Sequence, residues 1–224
     1  MSTSKEITNE SDKLFNIITL GESGVGKTSI IKRYIYKSFE DDTISTIGLN
    51  YTFKEVILEN GIKLKIKLVD TAGQERYRAL NKNYFKNGDA VLYVFSLDKK
   101  GSFDKIREWK NMFNEIKSEE GIPTFLIRNK NDLDVDPIGN ELEDINEEII
   151  SKFSQDNNFT KYVQSSAKDN TNIDYIFQEI SEMWYNSNKN KKKKQITKTL
   201  QDQKKKDEKL RKKQNGCDLC KKDI

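Results

Sequence analysis

The octapeptide Gly21-Glu-Ser-Gly-Val-Gly-Lys-Thr28 places three glycines, a lysine and a hydroxyl at a spacing that suits a polyphosphate. Gly21, Gly24 and Gly26 let the backbone wrap successive N–H groups around an anion. The Lys27 ammonium can then reach β- and γ-phosphates, and the Thr28 hydroxyl can ligate Mg²⁺. Ser23, Gly24, Val25, Gly26, Lys27, Thr28 and Ser29 form the expected phosphate-binding run. A Gly/Ser turn before a helix is the plainer alternative. The loop by itself implies a nucleoside triphosphate and leaves the base open.

Three further segments carry chemistry. Asp70-Thr-Ala-Gly-Gln74 offers an acid that can hold the metal through water, a Gly73 N–H open to the γ-phosphate, and a Gln74 amide able to orient an attacking water. Alone, this stretch is also an ordinary capped turn. Asn129-Lys-Asn-Asp132 and Ser165-Ser-Ala-Lys168 supply the groups for a base. The Asp132 carboxylate can accept from guanine N1–H and the 2-amino group, and it opposes adenine, which lacks both donors. An unpaired polar group rejects the wrong base by several kcal/mol. The stems of Lys130 and Lys168 can cover the base faces, and the Ala167 N–H can reach the 6-oxo group. Each four-residue motif could be ordinary loop chemistry; their order is the stronger signal.

These segments need a scaffold that brings strand ends together. Phe15–Leu20 is an apolar run suited to a buried strand, and Thr28–Ser38 has a helical pattern. Glu40–Gly48 reads as a loop. Leu49–Leu58 and Ile62–Val69 flank Glu59-Asn-Gly61, which predicts a hairpin and an antiparallel pair. A short helix is expected over Arg76–Lys86. Ala90–Leu97 is continuously apolar, as in a strand buried on both faces. Phe103–Lys117 is a helix by spacing, Thr124–Arg128 and Lys161–Gln164 are short strands, and Glu141–Asn157 and Ile173–Asn186 are amphipathic helices. Trp109, Phe113, Phe177 and Trp184 are read as core. Alternation of this kind implies an α/β fold with a mostly parallel sheet, and such sheets bind ligands at the carboxyl ends of their strands.

The chain has 224 residues, 34% of them hydrophobic, and a net charge of +4. From Asn188 to Ile224 there are 15 Lys/Arg and 5 Asp/Glu, a net of +10, so residues 1–187 carry −6. A mildly acidic domain thus carries a basic tail. Residues 1–12 are expected to be a disordered extension, 13–187 the nucleotide-binding domain, and 188–224 a mobile tail. Met1–Asp12 has no apolar segment of the signal type, no stretch approaches a membrane span, and Ser2 stands where myristoylation needs glycine. Two cysteines, both near the end, fit a reducing cytoplasmic compartment.

Taken together, the motifs resemble those of the Ras superfamily of small GTPases, and within it the Rab family, over about residues 12–186. The resemblance implies a P-loop NTPase fold, a six-stranded sheet with one antiparallel strand, five helices, and Mg²⁺ with GTP or GDP as ligand. Thr43-Ile-Ser-Thr-Ile-Gly48 is similar to the first switch, which makes Thr46 a second Mg²⁺ ligand beside Thr28. Phe39 matches the aromatic that packs edge-on against guanine. Asp70–Arg78 resembles the second switch, with Gln74 the catalytic residue. The family implies slow GTP hydrolysis, an exchange factor, an activating protein, effectors that read the GTP state, and action as a monomer in vesicle traffic. Departures are visible: Ile47-Gly-Leu-Asn-Tyr51 replaces the usual Ile-Gly-Val-Asp-Phe, Val69 stands for Trp, and Ser96 for Asp. The first two changes fall on the effector surface.

Rabs commonly end in two nearby cysteines bearing geranylgeranyl groups. Here Cys217-Asp-Leu-Cys220 is followed by four residues and is not a C-a-a-X box. Two lipids plus the lysines would hold the chain on an anionic, cytosolic membrane face. The alternatives are a solvated tail or a zinc clip, which two Cys and no His cannot complete. Nucleic-acid binding is disfavoured for want of interleaved aromatics. Two other functions compete: a GTP-loaded scaffold with negligible hydrolysis, opposed by Gln74 and Thr46, and an ATP-using kinase, opposed by Asp132.

Overall fold

The computed structural model describes residues 14–40, 49–71, 82–99, 101–133 and 145–218. The chain divides into two units, Met1–Trp184 and Tyr185–Ile224.

In the first unit the elements run β1 (Phe15–Leu20), α1 (Lys27–Tyr36), β2 (Leu49–Ile57), β3 (Lys63–Thr71), α2 (Lys82–Lys86), β4 (Ala90–Phe95), α3 (Ile106–Asn114), β5 (Thr124–Arg128), α4 (Glu147–Asp156), β6 (Lys161–Gln164) and the start of α5 (Ile173–Asp218). One six-stranded sheet has the order β2-β3-β1-β4-β5-β6. Every neighbouring pair is parallel except β2–β3. That antiparallel pair turns at Asn60-Gly61, where Gly61 has a φ of 80° and the Asn60 side chain accepts from Ile62 N–H at 3.0 Å. A left-handed residue there is what the tight turn requires.

Burial follows from position in the sheet. All six residues of central β4 are buried, whereas edge strand β2 alternates and exposes Tyr51, Phe53 and Ile57. On one face of the sheet, Trp109 and Phe113 of α3 and Ile150 of α4 pack with Tyr93 and Phe95. On α1 and α5, Tyr34 stacks on Phe177 at 4.0 Å, and Phe15 stacks on Trp184 at 4.4 Å. The four aromatics read as core are buried.

β1, β5 and β6 match their expected ranges; α1 begins one residue early and the other described ends of α1, α3 and α4 are shorter by a turn or less, the expected first residues of α4, 141–144, lying outside the described residues. The short helix begins at Lys82; its expected first residues, from Arg76, lie outside the described residues. One difference is large. The helix expected to end at Asn186, with a disordered tail after it, continues to Asp218. Residues 188–215 contain no glycine or proline and are rich in Lys and Gln, which favour helix through backbone propensity alone. They show no apolar stripe, so a reading based on packing periodicity finds nothing there.

Candidate functional site

The site lies at the carboxyl ends of β1, β3, β5 and β6. β1 delivers the glycine loop. Gly21 takes a φ of 145°, and a Cβ there would lie 2.0 Å from the Val94 carbonyl oxygen of β4. Gly26 takes a φ of 95°, and a Cβ there would lie 2.2 Å from the Asn129 amide nitrogen. No side chain fits at either position. The loop then enters α1 at Lys27, so the N–H groups of the helix N-terminus face the site.

Lys27 is buried, and its Nζ donates to the carbonyls of Gly21 at 2.9 Å and Glu22 at 2.8 Å. Burial pushes its pKa down to about 8, against the pull of Asp70 and Glu22. An anion in the loop would favour the charged form. Glu22 is itself anchored, because Trp109 Nε1 of α3 donates to its carboxylate at 3.0 Å.

β3 delivers Asp70. Two reciprocal hydroxyl bonds lock the ends of β1 and β3: Thr19 to the Val69 carbonyl at 2.9 Å, and Thr71 to the Thr19 carbonyl at 2.6 Å. They set Asp70 beside the loop, where Thr28 Oγ1 donates to Asp70 Oδ2 at 2.7 Å. Among the described residues, Asp70 Oδ1 is the buried side-chain polar atom without a hydrogen-bond partner. Burial raises the Asp70 pKa, opposed by the Thr28 bond and by Lys27. A hydroxyl and a buried carboxylate with a spare oxygen form a hard-oxygen donor set, which suits Mg²⁺. Thr46, Gly73 and Gln74 lie outside the described residues.

β5 and β6 deliver the loops that the sequence assigns to the base. Main-chain bonds continue past the strand ends, from Ser165 N–H to Arg128 O at 2.8 Å and from Asn131 N–H to Ser165 O at 3.0 Å. Ser166 Oγ donates to Asp132 Oδ1 at 2.5 Å and accepts from Asp169 N–H at 3.0 Å. The carboxylate is therefore held by the loop that carries the Ala167 N–H. Buried Asn129 ties three segments: its Nδ2 donates to the Val25 carbonyl at 2.9 Å, and its Oδ1 accepts from Ser165 Oγ and Ala167 N–H, each at 3.3 Å. Lys130, at a left-handed φ of 62°, pairs with Asp98 at 2.7 Å. The fold thus brings Ser23–Ser29, Asp70, Asn129, Lys130, Asp132 and Ser166–Lys168 to one end of the sheet. Phe39 joins them through Arg33, whose guanidinium lies 5.7 Å from its ring centroid. Cys217 lies in the last turn of α5, in the second unit, and Cys220 lies outside the described residues.

Three residues with a part here carry no motif signal. Ser96 Oγ bonds the Asp98 carboxylate, which in turn pairs with Lys130. The hydroxyl of Ser96 thus works through an acid that stands two residues later in the chain. Arg33 of α1 reaches the carbonyls of Ala167 and Lys168, at 2.6 Å each. Only the composition of the 96–98 segment could have hinted at the first two, and nothing local marks Arg33.

Comparison with known proteins covers nearly the whole of this sheet. The Ras family matches residues 16–186. GTP-binding protein ypt3 of Schizosaccharomyces pombe is 33% identical over 171 residues, 76% of this chain and 76% of its own. Ras-related protein Rab-9A of Rattus norvegicus is 33% identical over 169 residues, 74% of this chain and 80% of its own. Ras-related protein Rab-32 of Mus musculus is 33% identical over 166 residues, 73% of this chain and 72% of its own.

Proposed function

The chain belongs to the Ras family of small GTPases, as a divergent Rab, and from that premise we propose that it is a slow GTP-hydrolysing switch of membrane traffic that effectors read while GTP is bound. One observation supports this most: Asp132 is held at 2.5 Å by Ser166, while Asn129 binds the same loop to the phosphate loop. The base-reading carboxylate and the phosphate cradle are one cross-braced body, as guanine-nucleotide selectivity needs.

Lys27 and the N–H groups of the loop and of α1 receive the phosphates. Thr28, Asp70 and Thr46 would hold Mg²⁺, Asp70 through water, and the ion would supply positive charge to offset that of the phosphates. Gln74 orients the attacking water, and Gly73 donates its N–H to the γ-phosphate. Phe39, Lys130 and Lys168 enclose the base that Asp132 and Ala167 read. The Arg33 guanidinium is committed to three carbonyls, so among the described residues charge stabilisation rests on Lys27 and the loop. Turnover is accordingly slow, and an activating protein supplying a residue in trans speeds it by roughly 10³–10⁵. Exposed Tyr51 and Phe53, edge-to-face at 5.7 Å, belong to the surface that effectors read.

Among the described residues no helix is long and apolar enough to cross a membrane. Membrane attachment is assigned to lipids on Cys217 and Cys220 with the tail lysines against an anionic leaflet. Serine at both cysteines is expected to move tagged protein from membranes to the soluble fraction; retention on membranes would overturn the anchor.

Single-turnover hydrolysis tests the switch. Wild type loaded with GTP and Mg²⁺ is expected to hydrolyse slowly, and Gln74→Leu to bind GTP normally while losing on the order of 10²-fold in rate. An unchanged rate removes Gln74 from its role. A wild type without turnover supports the scaffold reading, and equal competition by ATP overturns the base assignment.

A further inference from the structure

Arg33 sits in the middle of three pieces of the site that no single loop connects. Its Nε donates to the Ala167 carbonyl and its Nη2 to the Lys168 carbonyl, both at 2.6 Å. Its Nη1 donates to the Lys37 carbonyl at 3.1 Å, and the Lys37 N–H returns a bond to the Arg33 carbonyl at 3.0 Å. Lys37 caps α1 at a left-handed φ of 57°, two residues before Phe39. The same guanidinium lies 5.7 Å from the Phe39 ring centroid.

A guanidinium is a planar fork with donors in fixed directions, and it can serve two neighbouring carbonyls at once. The two carbonyls here are consecutive, and they follow the Ala167 N–H, which bonds Asn129 Oδ1 at 3.3 Å and is assigned above to reading the base. Holding both fixes the backbone on which that N–H stands. The third bond and the ring contact fix the turn that presents Phe39. The α1 helix that begins at the phosphate loop thereby grips both walls of the base pocket from outside. Arg33 has no place in the phosphate or metal chemistry.

We propose that Arg33 is a positioning residue that sets how long a guanine nucleotide stays bound, by clasping the Ala167–Lys168 carbonyls and the Lys37–Phe39 turn together. The inference rests on the guanine-pocket reading above. Its effect belongs to the base end, so it is independent of Mg²⁺.

Dissociation of a fluorescent GDP tests this, measured for wild type, Arg33→Gln and Arg33→Lys, with Mg²⁺ and with EDTA. Arg33→Gln is expected to release GDP about tenfold faster, by the same factor in both conditions. Arg33→Lys keeps the charge, but one ammonium nitrogen cannot replace the spread fork that serves the Ala167, Lys168 and Lys37 carbonyls together, so it is expected to stay several-fold faster than wild type. Rates within twofold of wild type for both variants would overturn the proposal, even if melting temperatures fall, because that is the mark of a merely structural role. An acceleration confined to Mg²⁺ would also overturn it. If Arg33→Gln does not fold, Arg33→Lys decides by the same threshold. A wild type that fails to retain GDP would instead strike the guanine reading itself.

Discussion

The base end and the metal end of this site differ in how far the protein completes them. At the base end the polar groups already have protein partners: Asp132 has Ser166, Asn129 has Val25, Ser165 and Ala167, and Lys130 has Asp98. At the metal end, Asp70 Oδ1 is buried with no partner among the described residues, and burial penalises charge on both Asp70 and Lys27. The two ends therefore select by different means. The base end is preorganised, so a wrong base meets fixed groups that it cannot pair. The metal end holds two buried opposite charges, each disfavoured by burial and only partly offset by the other, and a bound cation and anion add the partners they lack. On the proposed function, selectivity belongs to the first and switching to the second, because only a balance that depends on ligand charge changes when a phosphate leaves.

Substitutions can break this contrast. The largest effect is expected from Asp132→Ala, which leaves two guanine donors unpaired; GTP affinity should fall by about 3–5 kcal/mol by titration calorimetry. A smaller loss would mean that base recognition lies elsewhere. At the other end, Asp70→Asn is expected to show in two measurements. It should abolish most of the Mg²⁺ dependence of GDP dissociation, yet leave stability to urea in EDTA no lower, because burial outweighs the Lys27 attraction in disfavouring the charged carboxylate. Destabilisation in EDTA would refute the account of Asp70. Ser166→Ala takes the hydroxyl from Asp132 and from Asp169 N–H, with an expected cost of about 1–2 kcal/mol in GDP affinity. The smallest effect is expected from Asp98→Ala. Its pair with Lys130 is partly exposed, at 25% and 27%, so about 0.5–1 kcal/mol in affinity is expected, weaker in high salt. If Asp98→Ala cost more than Ser166→Ala, the ranking of fixed against screened contacts would be wrong.

Much of the fold is legible in the chain. Phe15–Leu20, Thr124–Arg128 and Lys161–Gln164 are strands by their short apolar or β-branched runs and by nearby turn residues, and the structure gives those ranges. The hairpin follows from Asn60-Gly61, whose left-handed glycine is a local requirement. The length of α5 is not legible by the same signal, since its later part has propensity without a buried face. In the site, Lys27, Asp70 and Asp132 stand out because their motifs are contiguous. Arg33 does not, because its partners Ala167 and Lys168 are 134 and 135 residues away. Ser96 is unreadable until Asp98 and Lys130 are seen together.

Sequence by itself determines which groups are present and in what order they meet the strand ends, because glycine conformation, strand and helix periods and turn chemistry are local properties. Tertiary structure alone decides which of those groups brace one another. Asn129 finds Val25 across 104 residues, Asp132 finds Ser166 across 34, and Asp70 keeps one oxygen unpaired beside Thr28. Those outcomes depend on sheet order and register, which bring remote loops within 3 Å and leave no trace in the spacing of residues along the chain.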